Sequence, residues 1–149
     1  MGFALAEACA ERGAEVTLVA GPVSLKTHHP AIKRIDVESA GEMYQAAITA
    51  FPSSDAAILC AAVADYRPEN ASEREASKRE TEGEMTLHLV PNPDIAASLG
   101  AIKREGQVMV GFALETNDEA THAEGKLKRK NLDFIVLNSL RDQGAGFRC

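Results

Sequence analysis

The chain has 149 residues, of which 45% are apolar and 26% charged, and its formal net charge is −6. This length and composition are typical of one globular domain with a single core. The acidic balance argues against general nucleic-acid binding, and the lack of an apolar run of about 18 residues argues against a membrane-spanning helix. The first residues lack the basic region of a signal peptide. Three cysteines without a C-x-x-C pair favour a reducing, cytoplasmic setting over a zinc site or a disulfide scaffold.

Alternating helices and strands are predicted along the first half of the chain. The helices are predicted at residues 2–12 and 39–51, and the strands at 15–20, 32–37 and 56–61. Ser39 followed by Glu42 is a capping box, in which each side chain accepts a backbone N–H at the start of a helix. Residues 56–61 form a continuous apolar run, which predicts a strand buried on both faces of a sheet.

The second half continues this alternation after a charged excursion at residues 67–84. Residues 85–90 alternate between polar and apolar positions and predict a strand. Asn92 is predicted to cap the next helix, with Pro93 in its first position and Asp94 in its first turn. Further strands are predicted at 108–112 and 133–137, and a further helix at 118–130. Strands that alternate with helices indicate an α/β fold with a mostly parallel sheet.

Both ends of the chain indicate an incomplete domain. A doubly wound domain opens with a strand and a glycine-rich phosphate-binding turn, whereas this chain starts on the predicted helix itself. At the other end, the loop at residues 144–147 is followed only by Arg148 and Cys149. We therefore expect residues 1–149 to be a single domain that is truncated at both ends and lacks its N-terminal strand and phosphate turn.

Two predicted strands are followed by candidate ligand-binding segments, since ligands of open parallel sheets bind outside the carboxyl ends of the strands. After the strand at 56–61, small residues would let a ligand approach the backbone, and Asp65 could hold a cation or a ribose. The alternative is a loop aspartate that caps its own backbone. After the strand at 108–112, Phe112 could contact a base, although a core position is the commoner role for such a residue.

A cluster of basic residues closes the predicted helix at 118–130. Lys126 and Lys130 are four residues apart and share one face, which suits a triphosphate because each ammonium supplies a charge and several donors. The alternative is a solvated helix end, in which cations complement the helix dipole and Glu124 pairs with Lys128. The four histidines show no metal-binding spacing.

Six segments in this order resemble phosphopantothenoylcysteine synthetase, the C-terminal half of the bacterial bifunctional coenzyme A biosynthesis flavoprotein, also described as a DNA/pantothenate metabolism flavoprotein. The segments are MGFALA at 1–6, VAGPV at 19–23, AAVADY at 61–66, NPDI at 92–95, VGFALET at 110–116, and RKNLD at 129–133, which Lys126 precedes. The resemblance covers essentially the whole chain. It implies a Rossmann-like fold with helices on both faces of the sheet.

The resemblance also implies a ligase activity. The family joins 4′-phosphopantothenate to cysteine: CTP activates the carboxylate as an acyl-cytidylate, pyrophosphate leaves, and cysteine then displaces CMP, with Mg²⁺ required. Asp65 is the candidate metal ligand. The residues that the resemblance assigns to the nucleotide site are Leu59, Cys60, Ala61, Asp65, Pro93, Asp94, Ile95, Ala96, Phe112, Lys126 and Lys130.

The chain departs from the family pattern at two places that carry chemistry. The family's asparagine and phosphate turn lie ahead of the position of Met1, and its first flap lysine falls on Ala76. The family's last strand and C-terminal helix are also absent. No catalytic residue is therefore carried over, and we expect a fragment that binds nucleotide weakly and does not turn over unaided.

Further expectations concern partners and alternatives. Residues 67–90 match the family's flap and dimerisation region, which implies a homodimer, and the parent protein would carry a fused FMN-dependent decarboxylase, with no flavin in this part. One alternative is a Rossmann-type oxidoreductase, against which Gly21-Pro22 stands where an acidic residue would hold a ribose. Another is a non-catalytic nucleotide-binding or interaction module.

Overall fold

The computed structural model describes residues 1–69, 86–115 and 119–139. Its helices are α1 (Gly2–Glu11), α2 (Ala40–Ala50), α3 (Ile95–Ile102) and α4 (Glu119–Arg129). Its strands are β1 (Val16–Ala20), β2 (Ile32–Asp36), β3 (Ala56–Leu59), β4 (Tyr66–Pro68), β5 (Leu89–Pro91), β6 (Val108–Glu115) and β7 (Phe134–Ser139). Over these residues, no helix combines the length and apolar character needed to span a membrane.

Parallel pairing dominates, as the helix–strand alternation predicts. β1 pairs with β2, and β3, β6 and β7 form a second parallel sheet in the order β3-β6-β7. β4 and β5 form an antiparallel ribbon that the sequence did not predict, and β5 begins at Leu89, later than the predicted strand at 85–90. β4 has three residues, too few for an alternating pattern to reveal it, whereas β5 overlaps the end of the predicted strand, whose first residue lies outside the described residues.

One face of the β3-β6-β7 sheet, the inner face, carries the core. Phe51, Leu99, Met109 and Leu132 are buried together, and Met109 has no exposed surface. Helices α2, α3 and α4 contribute partly buried apolar side chains around this cluster. Burial of these side chains is the main source of stability for this half of the molecule.

The opposite, outer face of the same sheet is open in the part of the chain that the structure describes. Ile58, Val108, Phe134 and Val136 share this face because side chains alternate along each strand, and all four are exposed, Phe134 at 61%. The prediction that residues 56–61 form a strand buried on both faces is therefore wrong. An apolar run shows that a strand can be buried, but burial on both faces also requires other elements to pack against each face of the sheet.

The starts of α2 and α3 are capped by side chains, but at α3 the capping residue is Asp94 and not the predicted Asn92. Ser39 Oγ accepts the Glu42 N–H at 3.2 Å, as predicted, but Glu42 Oε2 accepts the N–H of Glu38 at 2.8 Å. At α3 the N-cap is Asp94, whose Oδ1 accepts the Ala97 N–H at 3.0 Å. The prediction of Asn92 as the cap is wrong because the Asn92 side chain bonds elsewhere in the fold.

Candidate functional site

Two of the predicted segments meet at the carboxyl edge of the β3-β6-β7 sheet. Leu59 ends β3 opposite Gly111 of β6, so Phe112 lies one residue beyond it. Leu59 packs against the core, whereas Phe112 alternates with the buried Ala113 and lies half-buried on the outer face. At this edge, Phe112 lies on the outer face of the sheet, and the loop after β3 lies at the carboxyl end of that strand.

The loop after β3 is joined to the start of α3 by Asn92, the residue predicted from sequence to be a helix cap. Its backbone N–H donates to Asp65 O at 2.7 Å, and its side-chain Nδ2 donates to Ala64 O at 2.8 Å. These bonds bring together the predicted residues on both segments, Asp65 on one side and Asp94 on the other. Only the tertiary fold reveals this role, because Asn92 and Ala64 are 28 residues apart.

The N-terminus of α3 lies beside the basic end of α4. Lys130 Nζ is 3.1 Å from Asp94 Oδ2, so two predicted site residues form an ion pair. Burial alone would raise the pKa of Asp94, but the Ala97 N–H and the Lys130 ammonium outweigh it and hold the pKa below its usual value. Asp94 caps the N–H of Ala97, and a helix start leaves further N–H groups without intrahelical partners. Cationic and N–H donors therefore converge here around one carboxylate.

The backbone at Lys130 is fixed by close packing against α3. A Cβ at Gly100 would be 2.1 Å from Lys130 O, so only glycine allows this approach. Asn131, at a φ of +52°, donates its Nδ2 to Gly100 O at 3.0 Å, and Lys103 Nζ donates to Asn131 O at 2.9 Å. Because its backbone is locked near the end of α3, the Lys130 side chain runs back along that helix to its N-cap.

The remaining predicted residues divide between backbone and side-chain roles. Ile95 packs against the core, so only its backbone can face a ligand, whereas Ala61 and Pro93 are exposed. Burial raises the pKa of the Cys60 thiol, and the chain's N-terminal ammonium and a backbone hydrogen bond oppose this only in part. Cys60 is therefore a neutral thiol, and it lies against α1, since a Cβ at Gly2 would be 3.0 Å from its Sγ. Ala96 and Lys126 are half-buried.

Few side chains among the described residues could hold the predicted metal ion. No three His, Cys, Asp or Glu side chains converge on a common point within residues 1–69, 86–115 and 119–139. Asp65 is exposed and offers a single carboxylate. This fits Mg²⁺, which keeps several waters and takes one or two carboxylates together with substrate phosphates.

An open cavity of about 370 Å³ lies away from these residues, between the loop after β1 and strand β2. Its lining residues are Val23, Ser24, Leu25, Lys26, Thr27, His28, Arg34 and Asp36. The Arg34 guanidinium there is already engaged by the Asp36 carboxylate at 2.6 Å and by the Leu25 carbonyl. None of the site residues predicted from sequence lines this cavity.

Sequence comparison finds close relatives over the whole chain. The family described as DNA/pantothenate metabolism flavoprotein C-terminal domain matches residues 1–149. The chain is 56% identical over 147 residues to a cysteine/cysteine sulfinic acid decarboxylase from an unknown prokaryotic organism, covering 99% of this chain and 40% of that protein. It is 50% identical over 147 residues to the coenzyme A biosynthesis bifunctional protein CoaBC of Vibrio parahaemolyticus, covering 99% and 37%. It is 47% identical over 148 residues to the CoaBC of Escherichia coli K12, and this match covers 99% of this chain and 36% of that protein.

Solved structures agree with this relationship. The C-terminal domain of a coenzyme A biosynthesis bifunctional protein CoaBC superposes with a TM-score of 0.78 at 36% identity, covering 92% of this chain and 62% of that one. A DNA/pantothenate metabolism flavoprotein from Streptococcus pneumoniae, at 20% identity, shares the fold with a TM-score of 0.73 over 90% of this chain and 68% of that one. The predicted Rossmann-like α/β fold is confirmed. The chain spans at most 40% of the curated relatives described above, and it belongs to the family of DNA/pantothenate metabolism flavoprotein C-terminal domains.

Proposed function

We propose that this chain is the nucleotide-binding part of a phosphopantothenate–cysteine ligase of coenzyme A biosynthesis, and that its nucleotide is CTP. The observation that carries the proposal is the convergence of the Asp65 loop, the N-terminus of α3 and Lys130 at one sheet edge. Membership of the flavoprotein family and the names of the CoaBC relatives support the same reaction class.

The chemistry requires a nucleotide because a free carboxylate is a poor acyl donor. In the proposed reaction the carboxylate of 4′-phosphopantothenate attacks the α-phosphate of CTP, pyrophosphate leaves, and the cysteine amine then displaces CMP to form the amide. Negative charge builds on the departing phosphates, and preorganised cations offset it best. Lys126 on α4 and Lys130 directly after it would supply this charge, and the free N–H groups of α3 would add donors.

In the free chain the Asp94 carboxylate already pairs with the Lys130 ammonium, so it would compete with the phosphates of a nucleotide. A polyphosphate that binds Lys130 must share the ammonium with Asp94 or displace that carboxylate, which is 3.1 Å away in the free chain. Mg²⁺ would be held by Asp65 together with the phosphates, where it would neutralise part of their charge. The side chain of Phe112 would contact the base from the outer face.

The remaining parts of the ligase proposal concern residues outside those described. The flap assigned to residues 67–90 is described only at 67–69 and 86–90, and Ala76, at the position of the family lysine, lies outside the described residues. We propose that the parent protein carries a fused decarboxylase, that two copies associate through the flap region, and that this part holds no FMN. The protein would act in the cytoplasm.

Calorimetric titration tests the nucleotide assignment directly. CTP, ATP and NAD are titrated into the chain with Mg²⁺ present, and preferential CTP binding is expected. Lys130→Ala should weaken CTP binding about 10-fold or more, because a hydrogen bond to a charged group contributes about 1.5–3 kcal/mol. Lys128→Ala, near the end of α4 but two residues from Lys130 and on another face, is the matched control and should change affinity little.

The alternatives give distinct results in the same experiment. Preferential binding of NAD would favour the oxidoreductase over the ligase. CTP binding that persists without amide formation, after the segment that precedes α1 in the relatives is added, would favour a non-catalytic nucleotide-binding module. No binding of any nucleotide would contradict the assignment of a usable site to these 149 residues.

A further inference from the structure

The base of the β4–β5 ribbon is fastened by a single arginine and a single asparagine. Arg67 Nη1 donates to Pro91 O at 2.8 Å and to Asn92 Oδ1 at 3.1 Å. Asn92 passes this connection on, because its Nδ2 donates to Ala64 O at 2.8 Å and its backbone N–H to Asp65 O at 2.7 Å. The chain of bonds therefore runs from the ribbon, through Asn92, into the loop that carries Asp65.

The chemistry at position 92 calls for an amide. Asn92 accepts from Arg67 with its oxygen and donates to the Ala64 carbonyl with its nitrogen, so one short side chain must do both. Aspartate could accept but not donate, and alanine could do neither. The α3 cap does not explain Asn92, because Asp94 performs that function.

The position of this link matters because it joins the two halves of the candidate site. On one side is the loop of Asp65, which forms no helix or strand between β3 and β4 and is largely exposed. On the other side, the N-terminus of α3 is anchored by the burial of Leu99 and by the pairing of Asp94 with Lys130. Among the described residues, the Asn92 amide is a side-chain link between the exposed loop and the anchored start of α3.

We propose that Asn92, braced by Arg67, is a positioning residue that sets the spacing between the Asp65 loop and the N-terminus of α3. The inference rests on the proposed function in that the site so positioned is the nucleotide site. In this role Asn92 acts through the loop that carries Asp65 and need not contact a phosphate. A ligand that spans both halves then finds them at a fixed separation and does not have to order the loop on binding.

The first arm of the test measures loop order without a ligand. Backbone ¹⁵N relaxation gives order parameters for residues 61–65, which are about 0.85 for a rigid backbone and below about 0.6 for a flexible one. Asn92→Ala and Asn92→Asp should lower them, since both remove the bond to Ala64. Arg67→Met should lower them too, and Arg67→Lys should restore them, because an ammonium can reach the same two oxygens.

His88→Ala is the matched control for the ribbon. His88 Nδ1 is 3.1 Å from Glu69 Oε2, so this pair joins the two arms of the ribbon at its outer end, away from the Asp65 loop. The variant should leave the order parameters of residues 61–65 unchanged. If Asn92→Ala also leaves them unchanged, the proposed positioning role is wrong.

The second arm measures coupling in a double-mutant cycle of Mg²⁺–CTP affinity. Asn92→Ala should weaken binding about 5- to 10-fold, corresponding to one hydrogen bond. Asp65→Asn should weaken binding in the wild-type background and have a smaller effect in the Asn92→Ala background, because the misplaced loop no longer presents the carboxylate. Strictly additive effects would reduce Asn92 to a structural residue and overturn the proposal.

The two arms separate failure of this proposal from failure of the proposed function. A wild-type chain that binds no nucleotide contradicts the ligase assignment for these residues, while the order parameters still decide whether Asn92 holds the loop. A chain that binds CTP but whose Asn92 variants bind it equally well contradicts the positioning role and leaves the nucleotide site standing.

Discussion

Replacing Gly100 with alanine is expected to destabilise the chain and to displace Lys130 at the same time. The new Cβ would be 2.1 Å from Lys130 O, and real Cβ contacts essentially never fall below 3.0 Å, so α3 and the end of α4 must separate by about 0.9 Å. Overpacking of this kind costs about 1–3 kcal/mol. Strain in the bond from Asn131 to Gly100 O costs about 1 kcal/mol more, and the higher helix propensity of alanine returns a similar amount. The net expectation is a loss of about 1–3 kcal/mol.

Urea denaturation of Gly100→Ala against Gly125→Ala measures this effect with a matched control. Gly125 lies within α4, and a methyl group there would meet nothing within 4 Å, so alanine should stabilise the chain by up to about 1 kcal/mol. The displaced Lys130 should also release the Asp94 carboxylate, whose pKa would move up toward its usual value. If Gly100→Ala is as stable as Gly125→Ala, the close approach of the two helices is not what fixes Lys130.

Three further predictions follow from single contacts. Gln107→Ala should lower the unfolding free energy by about 1–3 kcal/mol in denaturant titration, because it removes the buried amide that donates to the Ser54 and Phe51 carbonyls, of which Phe51 O keeps the Ser54 N–H as a donor. Hydrogen bonds, first from Lys103, lower the pKa of Asp133 in the folded chain. The stability that Asp133 contributes should therefore be complete above its ordinary pKa and be lost as pH falls through the lowered folded-state pKa. Thermal melts of Asp133→Asn should lack this acid-side loss of stability. Because burial raises its pKa, Cys60 should react with iodoacetamide at about pH 8 more slowly in the folded than in the urea-unfolded chain, and equal rates followed by mass spectrometry would contradict this.

The sequence predicts the order of elements well because that order depends on local chemistry. The end of α1 follows from Gly13, which comes directly after the C-cap Arg12 and adopts a φ of +90°. Strands follow from β-branched runs such as residues 16–20, which form β1 as expected. These signals act over a few neighbouring residues, so no knowledge of the tertiary fold is needed to interpret them.

The departures at the candidate site involve partners that are distant in the chain. Asn92 and Asp94 are both good N-caps by residue type, and the choice of Asp94 is settled by the Ala64 carbonyl, which captures the Asn92 amide. The pairing of Asp94 with Lys130 likewise requires α3 and α4 to be packed together. Strand-end positions and the family resemblance supplied the candidate residues of the site, whereas the residues that hold them in place became visible only in the fold.

The open outer face of the β3-β6-β7 sheet leaves four large apolar side chains of the described chain in contact with water. Two chains that meet through Phe134 and Val136 would both remove apolar surface from water, at about 25 cal/mol per Å². Self-association of this kind would also cover Phe112, which lies on the same face, and would compete with any ligand that uses it. A lysine in place of Phe134 should therefore make this face less apolar without altering the inner-face core.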